Sequence, residues 1–256
     1  MKRIGIIKII SLFLLIISFL NVTCFGANEY SWFFVKNGNS QPNVNDEERR
    51  INRYNGFCLD RSVNDESDKR VLYLTFDVGY ENGNVSKILN ILESNDIKGS
   101  FFILDNILLK NLDLVKRMID EGHLICNHTK KHKNICSYNK EQIRQELGSL
   151  EKLYFEKTGH QMSQYFRFPE GKYSESSLEF VSELGYKSVF WSLSYADWDN
   201  NNQPSPERAI NKLLTNTHNG AIILLHPTSN TNVEILPYLI KKWKENGYIF
   251  STVDKI

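Results

Sequence analysis

Six polar side chains between Asp77 and His226 are the residues of this sequence that could do chemistry together. Asp77 ends an apolar run and precedes Val78-Gly79-Tyr80, so a carboxylate stands where a Gly permits a tight turn. Taken alone it reads as a turn cap. His128 and His132 lie at i and i+4, a spacing that one helical turn converts into two imidazoles on one face, as zinc sites use. In a loop the same spacing also arises by chance. Arg167 follows another apolar run and reads either as a surface ion pair or as a guanidinium clamping a carboxylate bidentately. Asp197-Trp198 joins an acid to an aromatic that is either core or a wall for a sugar ring. His226 closes the apolar Ala221–Leu225 run, where an imidazole is costly to bury unless a partner such as Asp197 orients it. His123, His160 and His218 keep structural readings, at a strand start or near helix ends. No G-x-S-x-G, Walker loop or G-x-G-x-x-G occurs, which disfavours a serine nucleophile and phosphate-loop chemistry.

The elements that must position these groups follow from periodicity. Apolar, β-branched and aromatic runs at 71–77, 99–104, 123–128, 165–169, 187–193, 221–226 and 248–253 predict seven strands. Between them lie helical patterns. Val85, Ile88, Leu89 and Leu92 form one stripe, and 112–119 forms another before Gly122. Asn139 with Gln142 predicts a capping box for a helix ending before Gly159. Ser174 caps a helix that ends at Gly185, and Ser205-Pro206-Glu207 opens another. The last helix is expected over about 232–246, with Pro237 in its first turns. Seven strands alternating with six helices define an α/β fold with a helix-covered parallel sheet, either a seven-stranded barrel or an open doubly wound sheet. In both, function gathers at the carboxyl ends of the strands, where five of the six groups fall or closely follow.

Composition narrows the partners. The chain has 256 residues, 41% hydrophobic, with formal net charge +1. Lys2, Arg3 and Lys8 stand in the first 27 residues without an acid, leaving 28 basic against 30 acidic residues. A near-neutral body without a basic stripe argues against nucleic acid. A basic start, an apolar run over 9–20 and small residues at Gly26-Ala27 predict a secretory signal over 1–27, with an uncleaved membrane anchor as the alternative. Cys58, Cys126 and Cys136 follow it, and a Cys126–Cys136 bridge and buried free thiols both stay open. Residues 28–69 read as an N-terminal extension that Tyr30, Trp32, Phe33 and Phe34 fasten onto the body, leaving 70–256 as the domain that carries the chemistry.

From residue 70 onward these segments, in this order, closely resemble the polysaccharide deacetylase family, also called NodB-homology or carbohydrate esterase family 4. Tyr73-Leu74-Thr75-Phe76-Asp77 with Gly79-Tyr80-Glu81-Asn82-Gly83, and Trp191-Ser192-Leu193 before Asp197-Trp198, resemble the spore-associated branch acting on N-acetylmuramic acid. The resemblance implies a distorted (β/α)7 barrel and an exported hydrolase of the cell envelope, working in the forespore envelope space as a monomer on peptidoglycan glycan strands. Its amine product would serve muramic δ-lactam formation in the spore cortex. It further implies Asp77 as catalytic base, Arg167 as its holder, Asp197 as the acid orienting His226, and His226 as general acid. His128 and His132 would be ligands of a divalent metal, zinc first, with cobalt or another divalent ion as alternatives. The Tyr80 N–H would serve the oxyanion, and Trp198, Leu224 and Pro169 would line the acetyl and sugar pockets.

One position departs from the family pattern. The residue after the base is usually a second Asp that ligates the metal, and here it is Val78. A non-catalytic glycan-binding relative therefore stands as a second reading, and a deacetylase of N-acetylglucosamine polymers, which would share every motif and differ only in its substrate groove, as a third.

Overall fold

The computed structural model describes residues 28–256. The expected signal, and its alternative as an anchor, lie outside the described residues, among which no helix is long and apolar enough to cross a membrane. In chain order the elements are β1 (Tyr30–Ser31), α1 (Asp46–Asn52), β2 (Arg70–Val78), α2 (Val85–Ser94), β3 (Ser100–Ile103), α3 (Asp105–Lys110), α4 (Leu112–Asp120) and β4 (Leu124–Asn127). There follow α5 (Lys140–Thr158), β5 (Tyr165–Phe166), β6 (Lys172–Tyr173), α6 (Glu175–Glu183), β7 (Lys187–Ser188), β8 (Leu193–Ser194), α7 (Pro206–Leu214), β9 (Ala221–Leu225), α8 (Asn230–Glu245) and β10 (Tyr248–Ser251).

Strand β2 is the hub, and its period-2 alternation explains the layers. Leu72, Leu74, Phe76 and Val78 are fully buried among the apolar faces of α2, α4, α7 and α8. Val71 and Tyr73 belong to a second, inner cluster with Phe102 and Ile222, so the remaining odd positions, Thr75 and Asp77, fall on the inner side. Each fully buried aliphatic or aromatic of this kind contributes about 1.5–3 kcal/mol. On one edge β2 pairs β9; on the other it pairs β10 through residues 70–73 and β3 through residues 75–78, all in parallel. The ladder continues from β3 through β4 and β5 to β7, and on the other flank from β9 to β8.

Because β7 and β8 belong to one short stretch of chain, the sheet curls into a barrel, and the open doubly wound alternative is excluded. The run expected as a single strand over 187–193 is instead two strands separated by 189–192. The reason lies in its hydrogen bonds. The carbonyls of Val189 and Phe190 accept from the Arg167 guanidinium, at 3.0 and 3.4 Å, and are lost to any ladder. The amide of Phe190 turns to Phe57 O, and the Trp32 indole N–H donates to Trp191 O at 2.9 Å. Residues 32 and 57, both from the N-terminal segment, thus cover the seam. That segment is further held by β1 pairing antiparallel with β6 and by stacking of Tyr30 on Tyr173. Trp32 is buried and Phe34 is partly buried, but Phe33 is 55% exposed and fastens nothing.

Helix ends follow the local chemistry. Asn139 and Gln142 form the expected reciprocal capping box, and Gly159 closes α5 at φ +76°. Ser174, Ser205 and Ser229 each accept from a first-turn amide, a cap worth about 1 kcal/mol. Helix α8 begins at Asn230, so Pro237 lies inside it rather than in its first turns. Two helices escaped periodicity: the six-residue α3, and the seven-residue α1 capped by Asn45. Cys58, Cys126 and Cys136 are buried free thiols, and burial pushes the thiols of Cys126 and Cys136 up to about 12.

Candidate active site

The parallel sheet delivers its carboxyl ends to one rim. Asp77 lies at the end of β2, His128 directly follows β4, Arg167 follows β5, His226 follows β9, and Asp197 stands three residues beyond β8. They converge on a cavity of about 720 Å³, bordered by Asp77, His128, His132 and His226 and walled by Tyr80, Trp191, Trp198 and Leu224. A volume of this size suits a small ligand such as a sugar unit.

Arg167 is fully buried, and each of its three guanidinium nitrogens has a partner. Its Nη1 meets Asp77 Oδ1 at 2.8 Å, Nε and Nη2 take the two seam carbonyls, and the guanidinium lies 4.1 Å from the Phe102 ring centre. The surface ion pair is thus excluded, and so is the bidentate clamp, because only one nitrogen reaches Asp77. Burial presses the Asp77 carboxyl toward its neutral form, but Arg167, His128 and His226 outweigh it and hold its pKa below the usual carboxylate range. Asp77 is therefore an anion through the neutral range.

His128 and His132 approach each other through a loop, not a helical turn. Thr129 at φ +66° and His132 at φ +56° curl the chain in the left-handed region, and the two rings meet at 5.0 Å between centres. Left-handed backbone at non-Gly residues costs about 1–3 kcal/mol each and persists where its surroundings hold it. Here Asn127 Oδ1 accepts from the Thr129 amide, and Glu146 Oε1 from those of Lys130 and Lys131. His128 Nδ1 lies 2.9 Å from Arg167 O, an acceptor only, so Nδ1 carries the proton and Nε2 presents its lone pair. Burial lowers the His128 pKa to about 4, so the ring is neutral at pH 7.

That lone pair lies 3.5 Å from Asp77 Oδ2. Two acceptors facing each other, with a second imidazole alongside, fit a bound cation. The fit is partial. Among the described residues no three His, Cys, Asp or Glu side chains form a ready ligand cluster. Val78, at the position where a third ligand is expected, is fully buried in the apolar cluster.

Across the cavity, His226 and Asp197 form the second pair. Asp197 is fully buried, with Oδ1 2.8 Å from His226 Nδ1 and Oδ2 accepting the His226 amide at 2.7 Å. Burial disfavours the imidazolium, but Asp197, by charge and hydrogen bond, outweighs it and raises the His226 pKa above its ordinary value. The Nδ1 contact leaves Nε2 as the other proton-carrying atom, on a ring that borders the cavity. An anion that can take a proton and an imidazolium that can give one thus border a single cavity, an arrangement suited to hydrolysis with general base and general acid.

The remaining expected residues divide. Trp198 is 64% exposed at the mouth, with its ring 6.5 Å from that of His226, and is a wall rather than core. Leu224 lines the floor, and the Tyr80 hydroxyl accepts from Asn200 Nδ2 at the rim. Pro169 is buried at the start of a short 3-10 turn and does not border the cavity; Glu170 and Gly171 do. Sequence reasoning missed Trp191, Tyr195 and Asn232. The last is fully buried and bonded to Asp197, and its only signal was a polar residue in the first turn of a helix directly following His226.

A helix-covered parallel barrel with carboxylate, imidazole and guanidinium gathered at its carboxyl rim defines a hydrolase class that works by general base and general acid, and comparison with known proteins agrees with a hydrolase. Residues 64–189 match the polysaccharide deacetylase family model. The chain is 36% identical over 230 residues to the peptidoglycan-N-acetylmuramic acid deacetylase PdaA of Bacillus subtilis, covering 88% of this chain and 85% of that one. The solved structure of Bacillus subtilis PdaA, a family 4 carbohydrate esterase, superposes with a TM-score of 0.83 over 89% of this chain and 96% of that one, at 35% identity. A peptidoglycan-N-acetylglucosamine deacetylase of Bacillus cereus is 30% identical over 73% of this chain and 68% of its own. A family 4 pseudoenzyme from Bacillus anthracis superposes with a TM-score of 0.67 at 26% identity, covering 73% of this chain and 65% of its own, and a mutant of it has restored enzymatic activity. The protein belongs to the polysaccharide deacetylase family, carbohydrate esterase family 4, hydrolases of carbon–nitrogen amide bonds.

Proposed function

We infer that the protein removes the N-acetyl group from N-acetylmuramic acid residues of peptidoglycan glycan strands, and that the amine so exposed serves muramic δ-lactam formation in the spore cortex. The observation that carries the reading is the opposition of the Arg167-held Asp77 and the Asp197-held His226 across one cavity, in a chain similar over most of its length to an N-acetylmuramic acid deacetylase. Asp77 accepts a proton from the attacking water as the new C–O bond forms. Arg167 keeps Asp77 ionised and fixes Oδ1, leaving Oδ2 for that proton. The Tyr80 N–H, which meets no backbone acceptor among the described residues, donates to the developing oxyanion. His226 gives its proton to the nitrogen as the C–N bond breaks, and acetate and a free amine leave. A divalent ion held by His128 and His132, zinc first and cobalt or another divalent ion as alternatives, would polarise the acetamide carbonyl and the water when bound. Trp198 offers a face for a sugar ring, and Leu224 an apolar floor for the acetyl methyl.

The work would be done outside the cytoplasm, by a monomer, on strands from which stem peptides have been removed. The basic, apolar start of the chain supports export. The test is mass spectrometry of peptidoglycan fragments incubated with protein and added zinc, expecting loss of acetyl from muramic residues. Acetate arising from N-acetylglucosamine residues instead would reject the substrate and keep the chemistry, the outcome that the similarity to the Bacillus cereus enzyme favours.

A second reading, a non-catalytic glycan binder, is favoured by Val78 and by the similarity to a pseudoenzyme. Against it stand two oriented acid–base pairs, for which a binder has no use. Glycan binding without acetate release, with zinc present, would establish it.

A further inference from the structure

The Asp197–His226 pair does not stand alone. Asn232, in the first turn of α8, is fully buried beside it. Its Nδ2 donates to Asp197 Oδ2 at 2.6 Å and to the His226 carbonyl at 2.9 Å. Its Oδ1 accepts from the Tyr195 hydroxyl at 2.5 Å. The amide orientation is therefore determined: reversed, its oxygen would face two acceptors, Asp197 Oδ2 and the His226 carbonyl. Its backbone N–H donates to Ser229 Oγ, the α8 cap, so the side chain stands on a fixed helix end.

Consider the Asp197 carboxylate with only His226 as partner. Both of its oxygens bond to one residue, Oδ1 to the ring and Oδ2 to the amide. That residue sits on the turn between β9 and α8, whereas Asp197 sits on the loop after β8. Asn232 bonds to both loops, and its donation to Oδ2 opposes rotation of the carboxylate about its Cβ–Cγ bond. The carboxylate plane is thereby held with its other oxygen on the imidazole.

We propose that Asn232 is a positioning residue of the hydrolysis: it holds the plane of the Asp197 carboxylate against His226 Nδ1, and thereby the aim of the imidazole that protonates the leaving amine and the tautomer of that ring when neutral. Tyr195 acts behind it, by holding the amide in the one productive orientation. The proposal rests on the acid role of His226 given above, and its test separates the two.

The experiment uses the full-length protein with zinc and peptide-free glycan, comparing Asn232→Ala and Tyr195→Phe with the parent. Asn232→Ala is expected to lower kcat about 10-fold or more, the usual scale for removing a group that orients a site residue, with KM within about twofold. Nitrogen-15 spectra of the histidine rings, recorded above the His226 titration where the ring is neutral, should show His226 protonated at Nδ1 in the parent and mixed between tautomers in Asn232→Ala. Tyr195→Phe should move both readouts the same way by a smaller factor, and it carries the test if Asn232→Ala fails to fold by circular dichroism. A folded Asn232→Ala with parental kcat and an unchanged His226 spectrum would overturn the proposal, leaving Asn232 a helix-end strut. If the parent itself released no acetate, the deacetylase reading would fail, while the ring spectra would still decide whether Asn232 sets the tautomer.

Discussion

Asp77 and Arg167 touch through a single contact, Nη1 to Oδ1 at 2.8 Å, which leaves the other carboxylate oxygen turned toward His128. One oxygen is structural and the other is available. A guanidinium that gripped both oxygens would hold the anion more tightly and make each oxygen a poorer proton acceptor. The remaining nitrogens of Arg167 end on main-chain carbonyls, so the group that holds Asp77 is itself held by the backbone.

Asp77→Asn keeps the shape and the Arg167 contact but removes the proton acceptor. His226→Ala removes the donor. Each is expected to lower turnover roughly 10²–10⁴-fold with the fold intact, the usual scale for losing an acid or base. Steady-state acetate release and circular dichroism on both variants check this; near-parental turnover of a zinc-loaded Asp77→Asn would assign the base elsewhere.

The pH profile should fall on its alkaline side through the titration of His226. The raised pKa keeps the imidazole protonated to higher pH than an ordinary histidine, and activity declines as pH rises through that value. Asp197→Asn removes the charge that raises it, so the alkaline limb should move to lower pH as well as lose height. Rate profiles of both proteins decide it, and a limb that stays in place would mean that another group titrates there.

Acid should destabilise the metal-free protein between pH 6.5 and 4. His123 and His128 are buried neutral, each with its pKa lowered from 6.5 to about 4. Because the folded pKa lies below the unfolded one, their contribution is fully present above about 6.5 and is lost as pH falls toward 4. For each ring it amounts to a few kcal/mol, on the order of 1.4 kcal/mol per pH unit. Thermal melts of chelator-treated protein across this range should show the decline, with His123→Asn reducing its slope. A flat Tm would contradict it.

Zinc should bind weakly, since two imidazoles are the ligands at hand and catalytic zinc sites usually have three protein ligands. Val78→Asp is expected to tighten zinc binding, provided the new carboxylate turns out of the apolar cluster toward the histidines. Calorimetric titration of the parent, Val78→Asp and His128→Ala ranks them. Equal affinity in all three would place the metal elsewhere and favour the glycan-binder reading.

Much of this was legible in the sequence because apolar strands that stop at a polar residue mark the carboxyl rim. Asp77, Arg167 and His226 could be placed there by counting alone. The histidine pair was right in spacing and wrong in cause: a left-handed loop, held by Asn127 and Glu146, does what a helical turn was expected to do. Asn232 was hidden because an Asn in a helix's first turn usually serves the helix, and only burial beside Asp197 shows otherwise. The interruption at 189–192 was hidden too. Val-Phe-Trp favours a strand in any context, and the competitor for its carbonyls is an arginine more than twenty residues away.

The covered seam of the barrel has a kinetic consequence. Trp32 and Phe57 reach 189–192 across more than 130 residues of chain, so these contacts are among the most non-local in the fold. Closing such loops is entropically costly and comes late for most topologies. The carbonyls that hold Arg167 lie in that same seam, so fixing of the base is expected to accompany docking of the N-terminal segment. On refolding, recovery of activity should lag the return of helical circular dichroism and coincide with the burial of Trp32.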